Sequence, residues 1–243
     1  MKVQFLGSGD AFGSGGRFQT CIRLESGASQ ILLDCGASSL IAMRRFGVDP
    51  QAIDAVILSH LHGDHFGGVP FMILDGQFKR RTRPLVVVGP PGVEARVLLT
   101  MEALFPGSTR VERKFDTRFV ELTDRLPVAV GPMNVTGFEV SHASGAPPFA
   151  LRVAGEGKIV TYSGDTEWTD SLIDAARGAD LFVAEALFYD KRVRYHLDLT
   201  TLLQHRARLD CRRLVLTHMG EDMLARLDGL GVEGAEDGKQ LLV

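Results

Sequence analysis

The sequence predicts an α/β protein, an α+β arrangement of four layers in which two sheets pack together with helices outside. Three observations carry that prediction. Short runs rich in β-branched residues alternate with stretches of helical spacing. Both halves of the chain run strands first and helices later, an order that two packed, helix-covered sheets would fit. Chemically capable residues also recur directly after apolar runs: Asp34, His60, His142, Asp165, Glu185 and His218.

The elements follow in order. "KVQFLG", "TCIRLE" and "ILLDCG" read as three early strands separated by Gly-rich or Ser/Gly turns. "ASSLIAMRRF" has helical spacing, "DAVILS" is a buried strand that delivers the chain to His60, and another helix follows from Gly67. "PLVVVG" is a further strand, and "GVEARVLLTMEAL" is the best amphipathic helix of the first half. In the second half "LPVAV", "MNVTGFEV", "FALRVA" and "KIVTYSG" read as strands, and "TDSLIDAARG" as a helix capped by Thr169 or Asp170. "ADLFVAEA" and "RRLVLTH" are strands with the helical "LTTLLQHRARL" between them. No linker, low-complexity segment or tandem repeat interrupts the chain, so a single domain over residues 1–243 is expected.

Bulk properties narrow the function. The 243 residues can bury a substantial core, and 45% hydrophobic with 23% charged residues is ordinary for a globular protein. A net charge of −3 gives no global basic field to draw the chain to nucleic acid or an anionic membrane. "MKVQFLGSGDAFG" reads as neither a signal peptide nor a membrane span, which makes a cytoplasmic location the expectation. Cys21, Cys35 and Cys211 form no CxxC pair; Cys35 and Cys211 read as core thiols.

The densest chemistry lies in "SHLHGDH". His60, His62, Asp64 and His65 put four nitrogen and oxygen donors into six residues, between a strand and a Gly-Gly turn. Neutral imidazoles and a carboxylate are donors of the kind zinc takes, and a loop of this spacing can aim them at two neighbouring points. A bland polar turn would leave the later strand-exit residues unexplained. If those strand ends share one edge, His142, Asp165 and His218 converge on the same place.

These segments, with "FLGSGDAFGSGGRFQT", "LLDCG", "SHASG", "YSGDT" and "LTHMG", resemble the metallo-β-lactamase superfamily over nearly the whole chain. The resemblance implies an αββα sandwich holding one or two metals between its sheets. It implies that His60, His62 and His142 bind a first divalent ion, that Asp64, His65 and His218 bind a second, and that Asp165 bridges them. Asp34 would orient a ligand histidine from behind. Zinc leads, with manganese or iron admitted by an all-nitrogen-and-oxygen set.

The branch is read from other residues. The secreted lactamases lack the bridging aspartate, and the flavin-linked diiron proteins carry a carboxylate at the second histidine position and a further domain. "VAEALF" followed by "YHLDLTT" resembles motifs of ribonuclease Z and its phosphodiesterase relatives. That resemblance gives His196 the role of stabilising the scissile phosphate or protonating the leaving oxygen, and Glu185 the role of orienting it. Asp64 counts among the catalytic as well as the ligating residues. Ribonuclease Z carries a long tRNA-gripping arm between its third histidine and its bridging aspartate; only residues 143 to 164 stand there, too few for one. The cysteine-rich zinc cluster of the related cyclic phosphodiesterase is missing as well.

The expected function is therefore a dinuclear phosphodiesterase that uses a metal-bridging hydroxide on a small or nucleotide-like phosphodiester. Long nucleic acid and membrane are not expected as partners. The alternatives are a thioester or lactone hydrolase, a tRNA 3′-end endonuclease, and a non-catalytic metal-binding module. Relatives often pair, so a homodimer is a further expectation. "FKRRTRP" (Lys79, Arg80, Arg81, Arg83) reads as a solvated face. Lys191, Arg192 and Arg194 read the same way, although their place just before His196 would let them receive a substrate phosphate. Trp168 either lines the pocket or packs in the core, and His205 reads as a surface histidine within a helix.

Overall fold

The computed structural model describes residues 1–243. The first sheet comprises β1 (Lys2–Gly7), β2 (Cys21–Ser26), β3 (Ser29–Leu33), β4 (Ala55–Ile57), β5 (Leu85–Gly89), β6 (Thr117–Glu121) and the C-terminal β13 (Gln240–Leu242). Its order is β13-β1-β2-β3-β4-β5-β6, antiparallel from β13 to β3 and parallel from β3 to β6. The second sheet comprises β7 (Pro127–Val130), β8 (Met133–Glu139), β9 (Phe149–Gly155), β10 (Lys158–Tyr162), β11 (Ala179–Glu185) and β12 (Cys211–Thr217), in the order β12-β11-β10-β9-β8-β7.

Side-chain alternation explains the layers. In β11, Leu181 and Val183 enter the core between the sheets, while Phe182 and Ala184 enter the core beneath the outer helices. In β4, Ala55 and Ile57 face the other sheet and Val56 faces the helices. Strands covered on both faces carry unbroken apolar runs, which is why they were legible. Over the first sheet lie α1 (Ser39–Arg45), α2 (Gly63–Phe66), α3 (Val69–Phe78) and α4 (Val93–Leu104). The last of these buries Val93, Val97 and Met101, one face of a helix. Over the second lie α5 (Ser171–Ala176), α6 (Leu199–Gln204) and α7 (Glu221–Leu224). No helix is long and apolar enough to cross a membrane.

The topology places the strand exits. In the second sheet β10, β11 and β12 are mutually parallel. Two antiparallel pairings, through β9, bring β8 into the same direction. The C-terminal ends of β8, β10, β11 and β12 therefore lie on one edge, as do those of β3 and β4 in the first sheet.

Several details differ from the sequence reading. β6 and β13 are strands that the sequence did not announce. Asp170 does precede α5, but its carboxylate takes Trp168 Nε1 and Arg208 Nη2 rather than capping the helix. Cys211, at the start of an edge strand, is only partly buried. His205 is not mid-helix: it ends α6 and stacks on Trp168, with ring centroids 4.0 Å apart. Within "FKRRTRP", Lys79, Arg80 and Arg83 are exposed but Arg81 is buried. Its guanidinium donates to the carbonyls of Pro50, Gln51, Ile53, Arg83 and Pro84, so it ties two loops together.

Candidate metal centre

Six strand exits deliver the predicted residues to one edge. Asp34 follows β3, His60 follows β4, His142 follows β8, Asp165 follows β10, Glu185 ends β11 and His218 follows β12. Asp34 (φ 57°) and His218 (φ 54°) leave their strands in the left-handed region, a conformation rare for residues other than glycine and common where a side chain must be aimed. Gly164, at φ 61° before Asp165, has no room for a side chain, because a Cβ would lie 2.8 Å from the Phe149 carbonyl oxygen. At Gly36 a Cβ would come within 2.2 Å of the Asp64 carbonyl oxygen, so the β3 exit and the histidine loop pack backbone against backbone.

Donor atoms gather in three overlapping groups, each within 4.8 Å: His60, His62 and His142; Asp64, His65, Asp165 and His218; and His142, Asp165 and His196. Asp165 Oδ2 stands 3.3 Å from His65 Nε2, 3.4 Å from His218 Nε2 and 3.9 Å from His60 Nε2. Asp64 Oδ2 is 3.1 Å from His65 Nε2, and His62 Nδ1 is 3.0 Å from His142 Nε2. Tetrahedral zinc, with bonds of about 2.0–2.1 Å, spaces its ligand atoms by roughly 3.3 Å, so most of these separations fit a shared cation. Buried polar atoms give a second test of fit. His60 Nε2, His65 Nε2 and Asp165 Oδ1 have neither solvent nor a hydrogen-bond partner, an expensive condition that a cation among them relieves.

Charge runs the same way. Burial keeps His60 well below the ordinary histidine value and lowers His142 and His218, leaving neutral rings with lone pairs to donate. Burial also pulls His65 down, but Asp165, Asp64 and Asp34 together outweigh it and hold its pKa well above the usual value. The carboxylates that favour a proton there also favour a divalent cation. For Asp165 burial acts upward, yet His218 and His65 hold it well below the carboxylate range. Asp64 is lowered against the same penalty, chiefly by His65.

Contacts behind the donors fix their orientation. Asp34 accepts from His65 Nδ1, Ser59 N and Ser59 Oγ, each at 2.7 Å, so it stands where the sequence expected an orienting carboxylate. His142 Nδ1 donates to the Tyr195 carbonyl at 2.8 Å. His60 Nδ1 is 3.0 Å from Ser59 Oγ, and His218 Nδ1 is 3.3 Å from Thr20 Oγ1. The Gly-rich opening abuts this edge, since the His218 N–H donates to the Ser8 carbonyl. Sequence reading missed Ser59, Thr20 and the Tyr195 carbonyl. A hydroxyl or a main-chain oxygen carries no distinguishing signal in one sequence.

His196 and Glu185 also meet, with His196 Nδ1 3.1 Å from Glu185 Oε2. Glu185 is wholly buried; its other oxygen accepts from the Thr166 N–H. Burial and Asp165 push Glu185 up to about 7. Burial lowers His196, but its bond to Glu185 prevails and lifts it to about 9. A proton is thus retained on the pair at neutral pH. Beside it opens a cavity of about 400 Å³, lined by His196, Trp168, Arg192, Arg194, Glu167 and Gln204 among others. Of the three basic residues before His196, Arg192 and Arg194 reach this cavity; Lys191 lies over the Phe188 ring instead.

Known proteins agree with this frame. A protein named Ribonuclease Z from Agathobacter rectalis is 26% identical over 237 residues, covering 79% of this chain and 76% of its own. Human tRNase Z, short form, superposes with a TM-score of 0.82 at 23% identity, over 100% of this chain and 99% of its own. A diphosphatase from the PhnP family gives 0.79 at 17% identity, covering 100% and 97%. Zn²⁺-bound PqqB from Methylobacterium extorquens gives 0.76 at 16%, covering 100% of both chains. The structural likenesses show the fold. With a family model described as Anti-Pycsar protein Apyc1 matching residues 1–234, the chain belongs to that family and is a ribonuclease Z-like hydrolase of the metallo-β-lactamase fold.

Proposed function

We propose that the protein is a dinuclear metal-dependent phosphodiesterase acting on a small or nucleotide-like phosphodiester. The observation that carries this reading is the His196–Glu185 pair, held at 3.1 Å beside the donor cluster that includes Asp165. His60, His62 and His142 would hold one ion, Asp64, His65 and His218 another, and Asp165 both. Zinc is the first candidate, supported by the Zn²⁺-bound relative of the same fold. Bound there, divalent ions supply an activated water and neutralise charge on a phosphoryl group. His196 donates its Nε2 proton to the departing ester oxygen, and Glu185 keeps that ring oriented and charged. Arg192 and Arg194 offer guanidinium groups to the anionic substrate, while the cavity beside His196 takes the part of the molecule that leaves.

Two features favour a small substrate. The segment between His142 and Asp165 contains only the β9–β10 hairpin, with no room for a gripping arm. The cavity is also of small-molecule size. The relatives named Ribonuclease Z favour a second reading, cleavage of a tRNA 3′ end.

The test is turnover by Zn²⁺- or Mn²⁺-supplemented protein of bis(p-nitrophenyl) phosphate, a cyclic mononucleotide, a thioester, a lactone and a precursor tRNA. Hydrolysis of the small phosphodiesters is expected, with kcat falling roughly 10²–10⁴-fold in His196→Ala at unchanged metal content. Ester turnover without phosphodiester turnover would overturn the proposal. Far faster cleavage of the tRNA would replace it with the second reading. The expected homodimer is tested separately by mass in solution.

A further inference from the structure

Glu167 stands two residues after Asp165, and its carboxylate is gripped from both sides. It accepts from Ser141 Oγ at 2.8 Å and from the Tyr195 N–H at 3.2 Å. Ser141 precedes His142 and Tyr195 precedes His196, so one carboxylate joins the neighbours of two residues of the centre. Main-chain bonding reinforces the first link, since the Glu167 N–H donates to the Ser141 carbonyl at 3.1 Å.

Tyr195 is the sensitive element. Its φ of 72° lies in the left-handed region, which a tyrosine leaves unless its surroundings over-determine it. Its carbonyl nonetheless accepts from His142 Nδ1. A histidine that ligates through Nε2 needs an acceptor at Nδ1 to fix its tautomer and plane. For His65 that acceptor is the Asp34 carboxylate; for His142 it is the main-chain oxygen of Tyr195, a residue held in that disfavoured conformation. Glu185 holds the other end of the dipeptide through His196 and also binds the Thr166 N–H, next to Glu167. Two carboxylates thus close a ring running through Thr166–Glu167 on one side and Tyr195–His196 on the other.

We propose that Glu167 is a positioning residue: by anchoring the left-handed Tyr195 peptide it sets the plane of His142 and the approach of His196 to the donor cluster. The inference rests on the ligand reading of His142 but not on the choice of substrate. Without the anchor the peptide relaxes, the carbonyl swings away from His142, and His196 moves with it.

The test compares Glu167→Gln, Glu167→Asp and Glu167→Ala. Glutamine is as long as glutamate and can still accept from the Tyr195 N–H while donating to Ser141; aspartate keeps the charge but falls short. Zn²⁺ affinity is measured by competition with a chromophoric chelator, and ligand geometry by the visible spectrum of the Co²⁺-substituted protein. Glu167→Gln should stay within about threefold of the parent, whereas Glu167→Asp and Glu167→Ala should lose roughly 10–100-fold in Zn²⁺ affinity and alter the Co²⁺ spectrum. On bis(p-nitrophenyl) phosphate kcat should fall with KM little changed. Parent-like Zn²⁺ affinity and Co²⁺ spectrum in Glu167→Asp would overturn the proposal, as would equal impairment of the Gln and Asp variants. If Glu167→Ala fails to fold, the Gln and Asp pair decides. A parent protein that binds Zn²⁺ but cleaves no phosphodiester would sink the proposed function alone.

Discussion

His65 donates its Nδ1 proton to Asp34 at 2.7 Å, and neither side chain has any contact with solvent. Asp34 needs both oxygens as acceptors, because Ser59 donates to it twice more. In Asp34→Asn an amide NH₂ must face one of these donors. The expected result is a loss of roughly 10–100-fold in Zn²⁺ affinity, since His65 is no longer held in the tautomer that frees Nε2. Folding stability should fall by about 1–3 kcal/mol. Chelator competition and urea unfolding check the two effects separately. Unchanged Zn²⁺ affinity with reduced stability would reduce Asp34 to a fold anchor.

Divalent ions should stabilise the folded chain strongly. The buried Nε2 atoms of His60 and His65 and Oδ1 of Asp165 have no hydrogen-bond partner, and an unfolded chain offers no comparable site. At an ion concentration about a thousandfold above Kd the gain is about 4 kcal/mol, and at about 2–4 °C per kcal/mol for a chain of this size Tm rises by roughly 10 °C. Thermal scans with Zn²⁺ and with excess chelator measure it. Identical curves would count against a metal at this edge.

Arg81 makes a prediction far from the centre. Its bonds to five carbonyls include 2.6 Å to Ile53 and 2.8 Å to Pro84. Lysine has one nitrogen and cannot reach acceptors spread around a planar fork. Arg81→Lys should therefore cost about 1–3 kcal/mol in urea unfolding while leaving kcat intact. Arg80→Lys, at an exposed neighbour, should change nothing measurable.

The C-terminal segment is pinned by charge. Arg213 binds Glu233 through two bonds of 2.7 Å, and Lys239 approaches the same carboxylate at 2.9 Å. The Arg213 bonds, with Lys239, lower Glu233 to about 2. A depressed carboxyl pKa stabilises the fold above the unfolded value of about 4.3, and the gain disappears as pH falls from there through about 2. Because the group is partly exposed, the gain is on the order of 1 kcal/mol. Glu233→Gln should unfold at lower urea than the parent at pH 7, with the gap narrowing below about pH 4. A gap independent of pH would assign the effect to packing.

The central architecture was legible because strands such as β4 and β11 are covered on both faces and so carry unbroken apolar runs. The edges were not. β6 reads "TRFVE" with no fully buried residue, and β13 has three residues with one buried, so neither shows a pattern above background. The residues that the structure gathers at the strand exits were legible for a different reason: each interrupts an apolar run where the chain leaves its sheet. Glu167 offered no such cue, since its partners are a serine hydroxyl and a peptide N–H. Arg81 looked like its exposed neighbours because its burial depends on carbonyls converging from Pro50–Ile53 and Arg83–Pro84.

The donors come from both sheets and span the chain from His60 to His218. The "SHLHGDH" loop follows β4, but the second group of donors is complete only with His218, after β12. On the proposed ligand reading, a fragment truncated before β12 lacks His218 and should bind the second ion more weakly than the whole chain.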